Sequence, residues 1–392
     1  MSTSRKSIVA TCSVALLALG LSLAPNSHGQ TVQEQRQQEL RRHYETAQKL
    51  ERDDNWAEAE NSWRAAVVLA PEDARAWTNL GVALNRQNKR NEAIEAWNRA
   101  IAIDPKLSGP HLNLGLMLVK SRNFNEAISP LRRVLTIEPE NQGARRALAV
   151  ALVGVDRFQE ASREIAQLLA RSPKDSDLLE LAAQSFIRQG RYPEAAKVLE
   201  RRLDLPNPTS QLWAQYGDAL DGAARTPEAA EAYRRAVELE PASTLFRYAL
   251  GYINWKLYRY DQAERELLEV LRRDPSDPRA AFTLGDLYLT RGKAERAMPL
   301  LEKAAMAYPN EFDTRFALGR ALTLTGDATR GIEELRAAVK LNESIADGHF
   351  QLGRALLKAG MALEGKQELE RAKQLQDKQR VGESERMRKR LP

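Results

Sequence analysis

Histidine is the residue type in this sequence best suited to metal binding or proton transfer. His43, His111 and His349 are separated from one another by at least 68 residues. A metal site or a general base with its partners needs such side chains to converge on one point. These three histidines instead fall at the same place of an internal repeat described below, and the fourth, His28, lies in an N-terminal leader that is also described below. The sequence therefore favours a packing role for these three, and it predicts no catalytic residue and no metal site.

A second group of residues partly matches the glycine-rich loop that holds nucleotide phosphates. Gly360, Gly365 and Lys366 have suitable types and spacing, but Gln367 stands where that loop needs a hydroxyl group to reach magnesium. No strand pattern precedes the segment. Acidic residues are plentiful, but they form no repeated pair of the kind that glycoside hydrolysis uses. The sequence thus predicts no bound cofactor, no small-molecule substrate and no enzyme.

Composition and charge narrow the class of protein further. The 392 residues are 43% hydrophobic and 29% charged, which is typical of a folded chain. A single cysteine, Cys12, excludes a disulfide framework and a zinc site built from several thiolates. The net charge is +6, and residues 378–392 carry a surplus of four positive charges. Because residues 30–377 are neutral overall, nucleic-acid binding along the chain is not expected.

The first residues have the layout of a signal peptide. Arg5 and Lys6 precede an uncharged, largely apolar stretch that Pro25 ends. Small residues three and one places before Gln30 suit cleavage there, so the sequence predicts a signal peptide over residues 1–29 and an exported protein, periplasmic or secreted. The apolar stretch is shorter than the roughly 20 residues of a spanning helix. An uncleaved leader that anchors the chain in a membrane is the alternative.

Proline positions reveal a period of 34 residues in the rest of the chain. Seven prolines are spaced by 34 or by 68 residues: Pro71, Pro105, Pro139, Pro173, Pro241, Pro275 and Pro309. If each stands at the thirty-second place of a unit, the eighth place is glycine or alanine in all ten units. Apolar residues recur within each unit at intervals of three and four, which is helical spacing. The sequence therefore predicts two helices in each unit.

Small residues are expected where the two helices of a unit cross. Glycine or alanine at the eighth and twentieth places would let the two backbones approach closely. The twentieth place is glycine in the last two units, Gly331 and Gly365. Glycine is less favourable than alanine inside a helix by about 1 kcal/mol. Fraying is therefore expected there. Three residues at the eighteenth place are expected to cap second helices: Asn91, Asn125 and Asp261.

This pattern resembles the tetratricopeptide repeat family. The second unit carries the family signature most fully: Trp77, Leu80, Gly81, Leu84, Ala93, Trp97, Ala100 and Pro105. The resemblance implies an all-α fold, a right-handed superhelical solenoid of tandem helical hairpins, with first helices lining a concave groove. The fifth unit ends in Pro206, Asn207 and Pro208 instead of one proline, so a bend before the sixth unit is an open alternative.

The same resemblance divides the chain into segments. The signal peptide of residues 1–29 and a short polar lead-in of 30–39 are followed by ten units over 40–379 and a basic C-terminal tail of 380–392. The ten units have these bounds: 40–73, 74–107, 108–141, 142–175, 176–209, 210–243, 244–277, 278–311, 312–345 and 346–379.

Groove-facing places of the family give the candidate partner-binding residues. The fifth place is aromatic in the last four units: Tyr248, Phe282, Phe316 and Phe350. Tyr252 and Trp255 accompany Tyr248 on its helix. Arg320 and Arg354 stand at the ninth place, one turn after aromatic residues of the fifth. Exposed aromatic residues beside arginine are typical of binding hot spots, and they suit a peptide with apolar and acidic side chains. The alternative is that these rings pack between repeats.

A second candidate is the sixth place, where Asn79 and Asn113 follow each other in successive units. By analogy with the family, their amides would pair with the backbone of an extended peptide; solvated side chains are the alternative. The family's clamp for C-terminal carboxylates has no match in this sequence.

The sequence as a whole predicts a non-enzymatic scaffold for protein–protein interaction. It would bind a protein or peptide in its groove, in bacterial envelope assembly or secretion, and would bind no nucleic acid. The alternative is a membrane-tethered component of an envelope complex. The uncleaved leader and the basic tail are the two segments where membrane contact is expected.

Overall fold

The computed structural model describes residues 27–388, and the side chains of residues 32–381. Over this part of the chain the regular elements are all α-helices, and no strand occurs. The predicted all-α repeat solenoid is therefore confirmed, while its handedness stays a prediction. The chain divides into two compact units, the first ending at Val155 and the second beginning at Asp156.

The first compact unit consists of consecutive helices that pack in pairs. Its described helices are α1 Ser27–Arg52, α2 Trp56–Leu69, α3 Ala74–Arg86, α4 Arg90–Ile103, α5 Ser108–Lys120, α6 Phe124–Ile137 and α7 Gln142–Gly154. α1 contacts α2, α3 contacts α4 and α5 contacts α6, and α3 and α5 also contact each other. In each of these pairs the odd-numbered helix is the first helix of a hairpin and the even-numbered helix is the second.

The second compact unit continues the same order. Its described helices are α8 Phe158–Arg171, α9 Ser176–Arg188, α10 Tyr192–Leu203, α11 Ser210–Gly222, α12 Thr226–Leu239, α13 Thr244–Lys256, α14 Tyr260–Arg273, α15 Pro278–Thr290, α16 Ala294–Ala307, α17 Phe312–Thr325, α18 Ala328–Leu341, α19 Ala346–Lys358 and α20 Ala362–Arg388. The core is continuous across the unusual proline pair, because Leu199 of α10 and Leu212 of α11 belong to one buried cluster.

The turn inside each hairpin has one conformation throughout the chain. The residue at the fifteenth place has a positive φ, between 54° and 102°, in all ten periods. In eight of the ten turns the following N–H group bonds back to the carbonyl five residues earlier, as Lys89 N does to Leu84 O at 3.0 Å. This closure satisfies a carbonyl that the end of the first helix would otherwise leave unpaired. It also leads directly into the second helix.

The predicted caps of the second helices are wrong. Asn91, Asn125 and Asp261 are each the second residue of their helix, α4, α6 and α14, and lie past the cap position. The left-handed turn starts these helices earlier than the residue types suggest. Side-chain caps are found mainly before first helices, where Asp73 Oδ1 accepts from Arg75 N at 2.9 Å and Asp277 Oδ1 accepts from Ala280 N at 3.0 Å; Asn55 and Asp327 cap the second helices α2 and α18.

Small residues do mark the crossing of the two helices, as predicted. A Cβ atom on Gly81 would lie 2.3 Å from Nε1 of Trp97, and one on Gly217 would lie 2.9 Å from the ring of Tyr233. The eighth place therefore lies beneath a large residue at the twenty-fourth place. A side chain there would force the hairpin apart.

Gly331 and Gly365 serve this close approach and do not interrupt their helices. α18 and α20 run through them. A Cβ atom on Gly331 would lie 2.6 Å from Cγ2 of Thr323, and one on Gly365 would lie 2.9 Å from Gly353 O. The expectation of fraying considered helix propensity alone, whereas backbone contact between the two helices requires glycine here.

The two ends of the described chain are helical. α1 begins at Ser27, so the lead-in of residues 30–39 is part of a helix. The basic tail likewise starts inside α20. The signal-peptide prediction falls mostly on residues 1–26, which lie outside the described residues. Among the described helices, none is both long enough and apolar enough to cross a membrane.

Candidate partner-binding surface

The first helices of the last four hairpins lie side by side. α13 contacts α15, α15 contacts α17 and α17 contacts α19. We call the surface that they form the first-helix surface, and define it by these residues: Tyr248, Tyr252, Trp255, Lys256, Phe282, Asp286, Phe316, Arg320, Thr323, Leu324, Phe350, Gln351, Arg354 and Lys358. It contains eight of the ten residues that the sequence predicted for partner binding.

Three aromatic rings stack along α13. The ring centroids of Tyr248 and Tyr252 are 6.1 Å apart, and those of Tyr252 and Trp255 are 5.6 Å apart. The guanidinium carbon of Arg279 lies 4.8 Å from the ring centre of Tyr248, and Nζ of Lys256 lies 5.8 Å from that of Tyr252. Contacts of this kind hold the rings in fixed orientations.

The aromatic row at the fifth place is less exposed than the sequence suggested. Tyr248 and Phe282 are half-buried and pack against the core of α14–α17, and Phe316 packs against the core of α18 and α19. Each of these rings leans on a neighbouring helix, as the packing alternative expected. Phe350 is 38% exposed, and Tyr252, at the ninth place, is 37% exposed. Their role in binding stays a prediction.

Trp255 also takes part in packing, and it leads to an acidic residue that the sequence analysis overlooked. Its ring packs against the same core as Phe282. Its indole lies close to Asp286 on α15. Burial raises the pKa of the Asp286 carboxyl, while the Arg320 charge and the nearby indole N–H oppose that rise. Asp286 occupies the ninth place of its unit, as Arg320 and Arg354 do in theirs, so reading that place in every unit would have found it.

Arg320 and Arg354 lie beside aromatic rings, as predicted from their spacing. The guanidinium carbon of Arg320 is 5.5 Å from the ring centre of Phe316, and that of Arg354 is 5.7 Å from the ring centre of Phe350. Both arginines line a cavity of about 440 Å³. We call this cavity between α17 and α19 the cationic pocket; its wall consists of Arg320, Thr323, Leu324, Gln351, Arg354, Ala355 and Lys358. Leu324 and Lys358 stand at the thirteenth place, which the sequence analysis did not examine unit by unit.

The two predicted asparagines lie in the first compact unit, apart from this surface in sequence. Asn113 lines a cavity of about 370 Å³ between α3 and α5, together with Arg86, Arg90 and Lys120. Asn79 is half-buried on α3 and is not on that wall. Of the two predicted asparagines, the structure therefore brings only Asn113 to this recess.

The histidines at the fourth place close the turns between units. His111 Nε2 lies 3.2 Å from Pro105 O, and His349 Nε2 lies 3.0 Å from Glu343 O. A carbonyl only accepts, so Nε2 carries the proton in both rings. Trp77 Nε1 and Arg247 Nε make the same bond to Pro71 O at 2.9 Å and to Pro241 O at 3.0 Å. In these units the fourth place supplies an N–H donor, a role that the sequence analysis had not recognised, whereas Leu179 and Ala281 at the same place of other units have no such group.

The remaining residues that the sequence analysis considered for chemistry also occupy structural positions. Gly360 has a φ of +83° in the turn after α19, and Gly365 meets Gly353 where α19 and α20 cross. These are the two glycines that resembled a phosphate loop. Within the described part of the chain, no group of histidine, cysteine, aspartate and glutamate side chains could hold a metal ion.

Tandem hairpins with close-packed crossings and side-by-side first helices define the class of α-helical repeat solenoids. Family models described as tetratricopeptide repeat match residues 74–107, 118–185, 178–211, 217–264 and 255–312. Together these matches span more than half of the sequence. The chain therefore belongs to the tetratricopeptide repeat family. This repeat fold is a non-enzymatic scaffold for protein or peptide partners, which makes the chain a protein–protein interaction scaffold.

Solved structures with similar folds include repeat proteins from several bacteria. The C-terminal part of a TPR repeat-containing protein from Cytophaga hutchinsonii is 16% identical, with a TM-score of 0.47, and the match covers 58% of this chain and 92% of that one. A tetratricopeptide repeat protein from Parabacteroides merdae is 16% identical, with a TM-score of 0.43 and coverage of 64% and 99%. MamA from residue 41 onward, from Desulfovibrio magneticus, is 20% identical, with a TM-score of 0.40 and coverage of 45% and 98%. Among curated proteins, none matches the sequence.

Proposed function

We propose that the first-helix surface binds an extended segment of a partner protein. The observation that carries this proposal is the set of partly exposed aromatic rings on α13 and α19. Tyr252 and Phe350 are each more than one-third exposed, and both belong to helices that a tetratricopeptide repeat uses for binding. Large exposed rings that surrounding groups hold in place lose little entropy when a ligand covers them.

The exposed and the half-buried rings have different parts in this function. Tyr252 and Phe350 would contact the partner directly. Phe282 and Phe316 would support the surface from below, since each contacts a buried cluster. Replacing Phe282 or Phe316 would therefore lower stability and binding together, which makes them poor probes of binding alone.

The test is a double variant, Tyr252→Ala with Phe350→Ala, used as bait in a cross-linking pull-down from envelope extract. Aromatic hot spots contribute about 2 kcal/mol or more each, so partner recovery should fall at least tenfold. Helical circular dichroism should stay at the wild-type level, because both rings are substantially exposed. Undiminished recovery would contradict the proposal.

Tyr258→Ala is the matched control. Tyr258 is 77% exposed and lies in the turn after α13, outside the first-helix surface. Its φ is 59°, and Ala224 has a φ of 60° at the same place of the preceding unit, so alanine fits this turn. The control removes one exposed aromatic ring and should leave partner recovery unchanged.

We further propose that the chain acts outside the cytoplasm, in envelope assembly or secretion, and that it has no catalytic activity and binds no nucleic acid. The leader layout of the sequence supports export. A membrane-tethered component remains the second candidate, because the surplus of basic residues in 378–392 would attract an anionic lipid surface. Flotation with vesicles that contain anionic lipid separates the two: a chain ending at residue 379 should float less than the full chain if the tail tethers it.

A further inference from the structure

We propose that the cationic pocket binds aspartate or glutamate side chains of the partner segment. The inference rests on the proposed function and adds the chemistry of the ligand. It assigns a ligand group to a specific recess between α17 and α19, and adds Lys358 and Leu324 to the residues that contact the partner.

The wall of the pocket has three cationic groups and no acidic one. Arg320, Arg354 and Lys358 are its charged residues, and the others are Thr323, Leu324, Gln351 and Ala355. A carboxylate that enters the pocket meets donors from two neighbouring helices. Guanidinium groups can hold a carboxylate through two parallel hydrogen bonds, which gives these contacts both strength and direction.

These three cations differ from Arg315 and Arg330 on the hairpin of α17 and α18, which are paired. Arg315 pairs with Glu334 at 2.6 Å, and Arg330 pairs with Glu302 at 2.7 Å. Within the side chains of residues 32–381, by contrast, Arg320, Arg354 and Lys358 have no ion-pair partner. Like charges collected in one recess repel one another, so an anionic ligand would relieve that repulsion.

Neighbouring charges do not cancel the excess positive charge of the cationic pocket. The pocket lies toward the C-terminal ends of α17 and α19, and each helix end contributes roughly half a negative charge. Together the two ends oppose only about one of the three positive charges. Asp286 interacts with Arg320 from α15. Arg354 and Lys358 are therefore the stronger candidates for the ligand contact.

Apolar groups beside the pocket favour an acidic residue within a mixed segment over a free anion. Leu324 is 61% exposed on the wall of the pocket, and Leu357 is 39% exposed on the neighbouring helix. The ring of Phe350 lies next to Arg354. A segment that covers these apolar groups also excludes water from the charged contacts, which strengthens them. Acidic side chains flanked by apolar ones fit this arrangement.

The test uses an array of short peptides that present mixed apolar and acidic sequences, with acetylated and amidated ends. Each acidic peptide has a partner in which asparagine or glutamine replaces aspartate or glutamate, and a third version has a free C-terminal carboxylate. We expect the purified chain to retain acidic peptides about tenfold or more tightly than their amide partners, and to lose that difference as salt rises.

The double variant Arg354→Gln with Lys358→Gln should abolish the preference for acidic peptides. Both side chains are exposed, so the variant should keep its helical content. Arg371→Gln is the control, because Arg371 is exposed on α20 outside the pocket and its replacement changes the net charge in the same direction. This control should retain the preference.

Three results would overturn the inference in different ways. Peptides retained without regard to acidic residues would refute the pocket assignment and leave the proposed function standing. Retention that requires the free C-terminal carboxylate would assign the pocket to chain ends instead of side chains. If the Tyr252 and Phe350 variant binds every peptide as the wild type does, the proposed function itself fails.

Discussion

The fourth place of the repeat shows one contact made by several kinds of side chain. Tryptophan, histidine and arginine all place an N–H group against a carbonyl of the turn that precedes their own first helix, as Trp77, His111 and Arg247 do. The contact satisfies a carbonyl in a turn that would otherwise depend on water. Histidine in this chain is thus a hydrogen-bond donor of the scaffold, and its effect on the protein should appear in stability.

His111 should make the stability of the first compact unit depend on pH. Burial lowers the pKa of His111, the hydrogen bond to Pro105 O opposes that effect only in part, and the nearby Arg133 guanidinium lowers the pKa further. Folding therefore favours the neutral ring. The stabilisation is complete above the unfolded pKa of about 6.5, and is lost as pH falls from there through the lower folded pKa. Urea denaturation should give a lower free energy of unfolding at about pH 5.5 than at about pH 7.5, with a slope of at most about 1.4 kcal/mol per pH unit.

Variants isolate the contribution of this ring. His111→Gln removes the titrating group, so its unfolding free energy should depend less on pH across that window. Arg133→Gln removes the neighbouring positive charge and should reduce the dependence in part. Identical pH slopes for the wild type and His111→Gln would refute the prediction.

At the scale of helices, close approach decides which residues the crossings accept. Alanine is the better helix former by about 1 kcal/mol, yet a Cβ atom on Gly331 would lie 3.0 Å from the backbone nitrogen of Thr323. Backbone cannot move aside as the end of a flexible side chain can. The packing cost should therefore exceed the propensity gain.

Gly331→Ala is expected to destabilise the protein by about 1–3 kcal/mol, the usual cost of overpacking. Gly143→Ala is the matched control, since a Cβ atom on that helical glycine would meet only Asn141 Oδ1, at 3.5 Å. The control should be neutral or stabilising by up to about 1 kcal/mol. Urea denaturation followed by circular dichroism measures both, and a stabilising Gly331→Ala would contradict the role assigned to the crossing.

The hairpins could be predicted from sequence because their determinants are local and repeat ten times. Small residues at the eighth place reflect a crossing that lies within one unit, beneath residues such as Trp97 and Tyr233. The helix starts were misplaced because Asn125 and Asp261 have the residue types of caps, while the left-handed turn before them sets the start. Exposure of the fifth place depends on the neighbouring first helix. The pattern of one unit therefore did not reveal that Phe282 and Phe316 are half-buried.

At the scale of the whole molecule, each compact unit is a succession of hairpins that share core with their neighbours. One buried cluster joins Leu199 of α10, Leu220 of α11 and Phe246 of α13. Stability in such an array is approximately a sum of hairpin terms and neighbour terms. A local variant should therefore weaken the hairpins around it first.

If the chain is exported with cleavage of the predicted signal peptide, its mature form has a defined first residue. Protein recovered from the cells that make it should begin at Gln30 or an adjacent residue, by N-terminal sequencing. Cleavage there would remove only the first turn of α1, which runs from Ser27 to Arg52. The hairpin of α1 and α2 would remain, so the shortened chain should keep its helical content. A chain that still begins at Met1 would support the membrane-tethered alternative.

The left-handed residue in every hairpin turn matters for engineering this scaffold. Six of the ten turns hold a residue other than glycine, among them Arg122 and Tyr258. An L-residue in that conformation is disfavoured by roughly 1–2 kcal/mol, although glycine loses part of this advantage through its greater freedom in the unfolded chain. None of the six lines the cationic pocket. Glycine at several of them together would raise the melting temperature stepwise and leave ligand selectivity untouched, so heat resistance and recognition could be tuned separately in this protein.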